Sequence, residues 1–338
     1  MRMESEPYGR SDTDNNPGIT VVVPVFNEAA ALAGFHAALK RVLATLPHKA
    51  EIVYVNDGST DGTMNVLAGI QAKDSTVAYL TFSRNFGHQA ALTAGLESVD
   101  GDIVIMMDGD GQHPPELIPD MLRLYQQGFD IVQAKRTEAA RAHRGFKQWT
   151  SRAFYWLISR IGEVQLIPGA ADFRLISREV LHALHRMHEY HRFIRGMTSW
   201  LGFRTAILPY QAGPRMAGET KYSLCKMLRL AADGMFSFSL IPVRLGLAIG
   251  CSFLLLALAE LSYVAFYWLV RGPKELVPGW SSIILMVTLG HGVTMVLLGF
   301  IGIYVGMIFQ EVKHRPVYVI SPSKSSRVAS RHLDNARE

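Results

Sequence analysis

The sequence predicts an α/β domain built on a mostly parallel sheet, followed by an amphipathic juxtamembrane segment and a hairpin of two membrane-spanning helices. Three observations carry this reading. Short runs rich in Val and Ile recur, each closed by a polar turn and followed by a helix-like stretch, the alternation that βαβ units produce. Acidic residues stand just past the ends of several of these runs. Two apolar stretches near the C-terminus each exceed the roughly 20 residues that cross a bilayer.

The first run, Ile19 to Val25, ends in Phe26-Asn27-Glu28. The second, Glu51 to Val55, ends in Asn56-Asp57-Gly58-Ser59-Thr60-Asp61-Gly62-Thr63. The third, Ala78 to Phe82, leads to Ser83-Arg84-Asn85-Phe86-Gly87-His88. The fourth, Ile103 to Met107, runs into Asp108-Gly109-Asp110-Gly111-Gln112-His113-Pro114-Pro115. Open α/β sheets bind ligands at the C-terminal ends of their strands, so Glu28, Asp57, Asp108 and Asp110 are expected on one edge. Residues two apart on an extended segment point the same way, so Asp108 and Asp110 can face one ligand. Oxygen ligands there suit Mg²⁺ or Mn²⁺, which can bridge to a diphosphate. Asp57 and Asp61 could instead cap helices, and Asp61 is the better placed for it. Four acids at matching strand ends exceed what capping alone explains.

As an ordered set, these four strand-end motifs resemble family 2 glycosyltransferases of the GT-A (Rossmann-like) fold. More narrowly, they resemble the polyprenyl-phosphate glycosyltransferases, which include dolichyl-phosphate mannose synthases and bacterial enzymes that load glucose onto undecaprenyl phosphate. The resemblance runs from about Ile19 to about Ile320. Two positions depart from the commonest pattern. The base-binding loop has Asn56 where an acid is usual, and the metal loop has Gly109 and Gly111 where Ala and Leu are commoner. Those glycines are expected to loosen the loop, because glycine costs more entropy to order.

The resemblance implies nucleotide-sugar contacts from Pro24, Phe26, Glu28, Asp57 and Asp108, and a divalent metal at Asp108, Asp110 and Gln112. Asp110 and Asp172 are the expected catalytic acids; Asp172 could equally position the acceptor or serve a structural salt bridge to Arg174. Arg192 and Arg195 are expected at the sugar pocket. Arg136, Arg152, Arg215, Thr220 and Lys221 are expected to meet diphosphate or lipid phosphate. The segment Arg215-Met216-Ala217-Gly218-Glu219-Thr220-Lys221-Tyr222-Ser223 matches one that family members carry at the active-site mouth. The implied reaction is inverting transfer of one sugar from a nucleotide sugar to a polyprenyl phosphate. UDP-glucose is the first-choice donor, with GDP-mannose, UDP-N-acetylglucosamine or an aminosugar donor as alternatives. From another class, a processive polysaccharide synthase should show Gln-x-x-Arg-Trp and more spans, and two spans make a poor path for a sugar-lipid transporter.

The remaining features agree. Of the 338 residues, about 200 suffice for one α/β domain. The expected organisation is a disordered N-terminal tail over 1–18, the α/β domain over 19–214, the juxtamembrane segment over 215–244, spans at 245–270 and 281–309, and a C-terminal tail over 310–338. Lys and Arg flank the hairpin on its outer sides, with only Arg271 and Lys274 in the loop between the spans, so the catalytic domain and both termini are expected in the cytoplasm of an inner (plasma) membrane protein. No N-terminal signal sequence is expected. Glu260 and His291 would lie at equal depth in such a hairpin, and either a hydrogen bond between them, within one subunit or between neighbours, or a neutral Glu260 bonded to water or a backbone carbonyl is expected. Cys225 and Cys251 are the only cysteines, which fits a reducing compartment. The net charge of +5 concentrates beside the spans, which points to anionic lipid and not to nucleic acid. There is no zinc pattern, no P-loop and no internal repeat. Glycines at Gly246, Gly250, Gly302 and Gly306 suit close helix contacts, and a homo-oligomer is expected. A downstream flippase or further glycosyltransferase would take up the product.

Overall fold

The computed structural model describes residues 17–137, 170–187, 189–190, 192–211 and 279–326, with isolated positions between 252 and 270. Arg152, the whole 215–244 segment with Arg215, Thr220 and Lys221, both cysteines and Glu260 lie outside the described residues. The described residues form two compact units. One holds 17–137, 170–211 and 316–326; the other holds 279–315 and the isolated positions before it.

The first unit is a seven-stranded sheet in the order β3-β2-β1-β4-β6-β5-β7. Its strands are β1 (Ile19–Val25), β2 (Ala50–Asn56), β3 (Val77–Thr81), β4 (Ile103–Met106), β5 (Ile131–Arg136), β6 (Ala170–Ser177) and β7 (Thr205–Tyr210). Four pairings are parallel, and β6 runs antiparallel to both β4 and β5. The β6 strand alone is reversed. Its N-terminal residues therefore reach the same edge as the C-terminal ends of the other six.

Every residue of β1 and β4 is buried, as expected for strands covered on both faces. On one face, α1 (Ala29–Leu43) presents Leu32, Phe35, Leu39 and Leu43 at helical spacing to the core around Val21, Val23 and Tyr54. The other face takes α3 (His88–Glu97), which packs through the small residues Ala90, Ala91 and Ala94 against Val55 and Leu80. The short side chains let α3 lie close to the strands. The helices α2 (Thr63–Gln71), α4 (Ile118–Gln126), α5 (Arg178–His185) and α6 (Ile194–Trp200) complete the layers. Ser177 caps α5 by accepting from the Val180 N–H.

β3 ends the sheet, and its outer edge is covered. Phe82 bridges Ile320 in antiparallel sense, the Ser83 N–H donates to the Val319 carbonyl at 2.9 Å, and the Ser321 N–H donates to the Thr81 carbonyl at 2.8 Å. This stretch falls within the expected C-terminal tail.

In the second unit, α7 (Trp280–Val312) is one helix of 33 residues. Its Leu289–Val312 part has a mean hydropathy of 2.2 and is unburied, so by length and composition it could cross a membrane. It corresponds to the second expected span. Among the described residues it is the one candidate, because most of the first expected span lies outside them.

The loop after β2 touches the loop after β3. Gly58 holds φ at 66°, and a Cβ there would stand 2.3 Å from the Arg84 carbonyl carbon. Gly58→Ala is expected to destabilise the protein by at least ~1–3 kcal/mol from the backbone conformation alone. A melting temperature several degrees lower is the expected readout, and an unchanged one would contradict this close approach.

Candidate active site

The loops at the C-terminal edge are tied to one another through the polar residues that end each strand. The Asn27 N–H donates to Ser59 Oγ at 3.0 Å, and the Thr60 N–H donates to Asn27 Oδ1 at 2.9 Å. The Glu28 N–H donates to Thr63 Oγ1 at 2.9 Å. Asp61 accepts from the Thr63 and Ala29 N–H groups, so it serves the helix-start role expected of it. Pro24 is buried in β1 beyond the last β1–β4 pair, where its missing N–H costs the ladder nothing. Phe26 is exposed immediately after it. Asp57 is buried and accepts from the Phe86 N–H at 2.7 Å and the Gly87 N–H at 2.9 Å. Burial raises its pKa, and those two bonds offset part of the rise.

After β4, the Asp108 N–H donates to His113 Nδ1 at 2.9 Å. The His113 ring is stacked on Phe173 with centroids 5.2 Å apart and meets Tyr210 edge-on at 6.1 Å. Burial lowers its pKa, which suits a neutral ring accepting at Nδ1. Asp110 Oδ1 accepts from the Gln112 N–H at 3.0 Å, and Arg136 Nη2 donates to Gln112 Oε1 at 3.0 Å. Gly111 holds φ at 78°, so glycine here permits the turn that brings Gln112 back onto Asp110.

Asp172, at the start of β6, is the most heavily partnered acid on the edge. Arg195 of α6 grips it with Nε at 2.7 Å and Nη2 at 2.8 Å, a bidentate fork. His88 Nε2 lies 3.3 Å from Asp172 Oδ2 and 3.4 Å from Asp108 Oδ1. Arg174 Nη2 stands 3.6 Å from Asp172 Oδ1. Burial opposes ionisation of Asp172, yet His88 and Arg195 outweigh it and hold its pKa well below the usual carboxylate range. For His88, desolvation disfavours the charged ring, but Asp172 and Asp108 raise its pKa to about 9.

The donor set fits a divalent cation. Asp108 Oδ1 is buried without a hydrogen-bond partner, and Asp110 follows two residues later. Among the described residues no group of three or more His, Cys, Asp or Glu side chains could hold a metal ion. A hard cation that completes its shell with water and substrate phosphate oxygens needs only one or two carboxylates from the protein.

Comparison with known proteins identifies the chain. The model of the family described as "Glycosyl transferase family 2" matches residues 20–184. The bactoprenol glucosyl transferase of Shigella phage SfV is 36% identical over 309 residues, covering 90% of this chain and 99% of its own. The chain belongs to glycosyltransferase family 2. The prophage bactoprenol glucosyl transferase homolog of Escherichia coli (strain K12) is 35% identical over 309 residues, with 90% and 99% coverage. Among solved structures, glucosyl-3-phosphoglycerate synthase from Mycobacterium tuberculosis, in complex with Mn²⁺, UDP and phosphoglyceric acid, aligns with a TM-score of 0.44 at 18% identity, covering 65% of this chain and 76% of its own.

Within this glycosyltransferase, the structure brings together Asp57, Asp108, Asp110, Gln112, Arg136, Asp172 and Arg195 at or beside one edge. Arg192 is instead paired with Glu97 at the far end of α3, through Nη1 to Oε1. The sequence reading missed His88 and His113 as members of the cluster. His88 follows a strand end just as Glu28 and Asp57 do, so the same logic could have found it. His113 lies within the motif after β4 and accepts from the Asp108 N–H five residues earlier, but its stack on Phe173, sixty positions away, has no local signal.

The Asp172–Arg195 pair is expected to be strongly coupled. A double-mutant cycle on Asp172→Asn and Arg195→Met should give an interaction energy of about 1–3 kcal/mol in thermal unfolding. Strictly additive effects would show that the fork contributes nothing.

Proposed function

We propose that this glycosyltransferase transfers a single hexose, glucose from UDP-glucose, to polyprenyl (undecaprenyl) phosphate at the cytoplasmic face of the membrane, with inversion. The observation that carries the reading is the near full-length likeness to bactoprenol glucosyl transferases, 36% over 90% of this chain. The carboxylate edge and the apolar α7 support it.

The acceptor phosphate carries roughly one to two negative charges at neutral pH and is a nucleophile without a general base. Its oxygen attacks C1 of the sugar. The new O–C1 bond forms as the bond from C1 to the diphosphate breaks, so an α-linked donor gives a β-linked product. Asp108 and Asp110, with Gln112 beside them, would hold Mg²⁺ or Mn²⁺, which supplies positive charge opposite the leaving diphosphate. Asp172, kept ionised by its arginine fork, is a poor proton acceptor; it suits holding Arg195 and His88 in place. Exposed Phe26 suits a nucleobase, with Pro24, Glu28 and Asp57 shaping the pocket behind it. Arg136, Arg152, Arg215, Thr220 and Lys221 would attract the two anionic substrates to each other.

Asp110→Ala is expected to cut sugar transfer to undecaprenyl phosphate by at least about 10²-fold without lowering the melting temperature. Chelation with EDTA should abolish transfer, and added Mg²⁺ or Mn²⁺ should restore it. Near-normal turnover of the purified variant would refute the site. Lys221→Ala should weaken use of the acceptor more than binding of the nucleotide; the opposite split would place Lys221 at the donor.

A further inference from the structure

We propose that the segment Val317–Ser326 positions the catalytic loop, with Tyr318 as its key side chain. The inference rests on the reading of the carboxylate edge as the active site.

The segment is fastened along β3 by main-chain and serine contacts. The Ser326 N–H donates to the Tyr79 carbonyl at 2.9 Å, and the Tyr79 N–H donates back to Ser326 Oγ at 3.0 Å. The Thr81 N–H donates to Ser325 Oγ at 3.0 Å, and Ser325 Oγ donates to the Ser321 carbonyl at 2.9 Å. Two serine hydroxyls thus accept from edge N–H groups of β3 that would otherwise face solvent.

β3 runs directly into the Ser83–His88 loop, and the segment follows it there. The Ser83 N–H, the first of the loop, donates to the Val319 carbonyl. Tyr318 stacks on Phe82 with centroids 5.1 Å apart at 13°. Phe82 in turn meets Phe86 edge-on at 5.6 Å. The next links are the Phe86 and Gly87 N–H groups on Asp57, then His88 between Asp108 and Asp172. The ring of Tyr318 is therefore two aromatic contacts from the loop's bonds to Asp57. Its hydroxyl reaches further along the same helix. Tyr318 donates to Glu97 Oε2, and Arg192 holds Glu97 Oε1. One residue from beyond α7 thus braces α3 at its last turn and, through Phe82, the loop that starts it. Desolvation raises the Tyr318 pKa, so its hydroxyl stays a donor.

A loop whose aromatic brace is removed samples positions in which His88 and Asp57 no longer hold their partners. Small misplacements of catalytic groups cost rate more than stability. The test uses the full-length protein in detergent with undecaprenyl phosphate and its nucleotide sugar. Tyr318→Ala should lower kcat about tenfold or more, with the acceptor KM within about twofold of wild type. Tyr318→Phe, which keeps the stack and loses only the hydroxyl, should stay within about threefold of wild type. If Tyr318→Ala does not fold, Tyr318→Leu, which keeps the apolar bulk and loses the stacked ring, should give the same drop in kcat. A wild-type kcat in the folded variant would overturn the proposal. So would a loss that merely tracks the unfolded fraction, or a folded Tyr318→Phe as slow as Tyr318→Ala. Asp110→Ala separates the two readings. If it remains active, the carboxylate edge is not the active site; if it is dead while Tyr318→Ala is normal, only the brace fails.

Discussion

A single buried carboxylate organises this edge. Removing an ionised Asp172 from water carries a large cost, and only close, well-oriented partners offset it. The partners come from three places: Arg195 on α6, His88 at the start of α3 and, more distantly, Arg174 on β6 itself. Arg174 is two residues from Asp172 and Arg195 is 23 away, while His88 comes from 84 residues earlier in the chain. Their convergence on Asp172 sets where α6 sits and where the first turn of α3 points. It also sets the position of His88 against Asp108, so the loop after β4 is placed in part by Asp172.

How far this was legible follows from the range of the interactions. β1 to β4 are short β-branched runs, and their period and punctuation are local signals, so their ends lie within about one residue of expectation. The acids at those ends were legible for the same reason. β6 was not: Ala170–Ser177 carries Asp172 and the fully buried Arg174 inside what would otherwise be an apolar run. Arg174 is held by the nearby Asp172 and by Ile194 O and Thr198 Oγ1, which accept from its Nη1; the last two come from α6, which no local pattern announces. Arg192 and Arg195 illustrate the same limit. They sit three residues apart and both looked like pocket cations, yet one braces Glu97 and the other grips Asp172. Their targets are chosen by tertiary packing.

The outer edge of β3 poses a different constraint. An exposed edge strand offers unpaired N–H and C=O groups to any other chain. Here the segment after α7 takes them up, and Ser325 and Ser326 use side-chain oxygens where the backbone register cannot serve. The covering pairs through the short apolar run Val317-Tyr318-Val319-Ile320, which Pro316 and Pro322 confine to a few residues. Its form is dictated by β3, so the sequence could place the segment after the span but could not say what it touches.

The acids of the edge differ in what they are committed to; Asp110 Oδ1, for one, accepts from the Gln112 N–H. Asp57 has both oxygens engaged by backbone N–H groups. Asp61 is engaged by the start of α2 and by Ala29. Asp172 is enclosed by its fork. Asp108 keeps one buried oxygen, Oδ1, with no hydrogen bond but with His88 Nε2 3.4 Å away, while His113 Nδ1 accepts from its backbone N–H. A carboxylate oxygen in that condition is costly in isolation. The His88 ring supplies part of the opposing charge, and a divalent cation would add coordination. In the proposed reaction two anionic substrates would meet at this edge, where arginine, imidazole and backbone N–H groups already face Asp172 and Asp57. Under that reading no proton acceptor is needed, and the depressed pKa of Asp172 agrees with it.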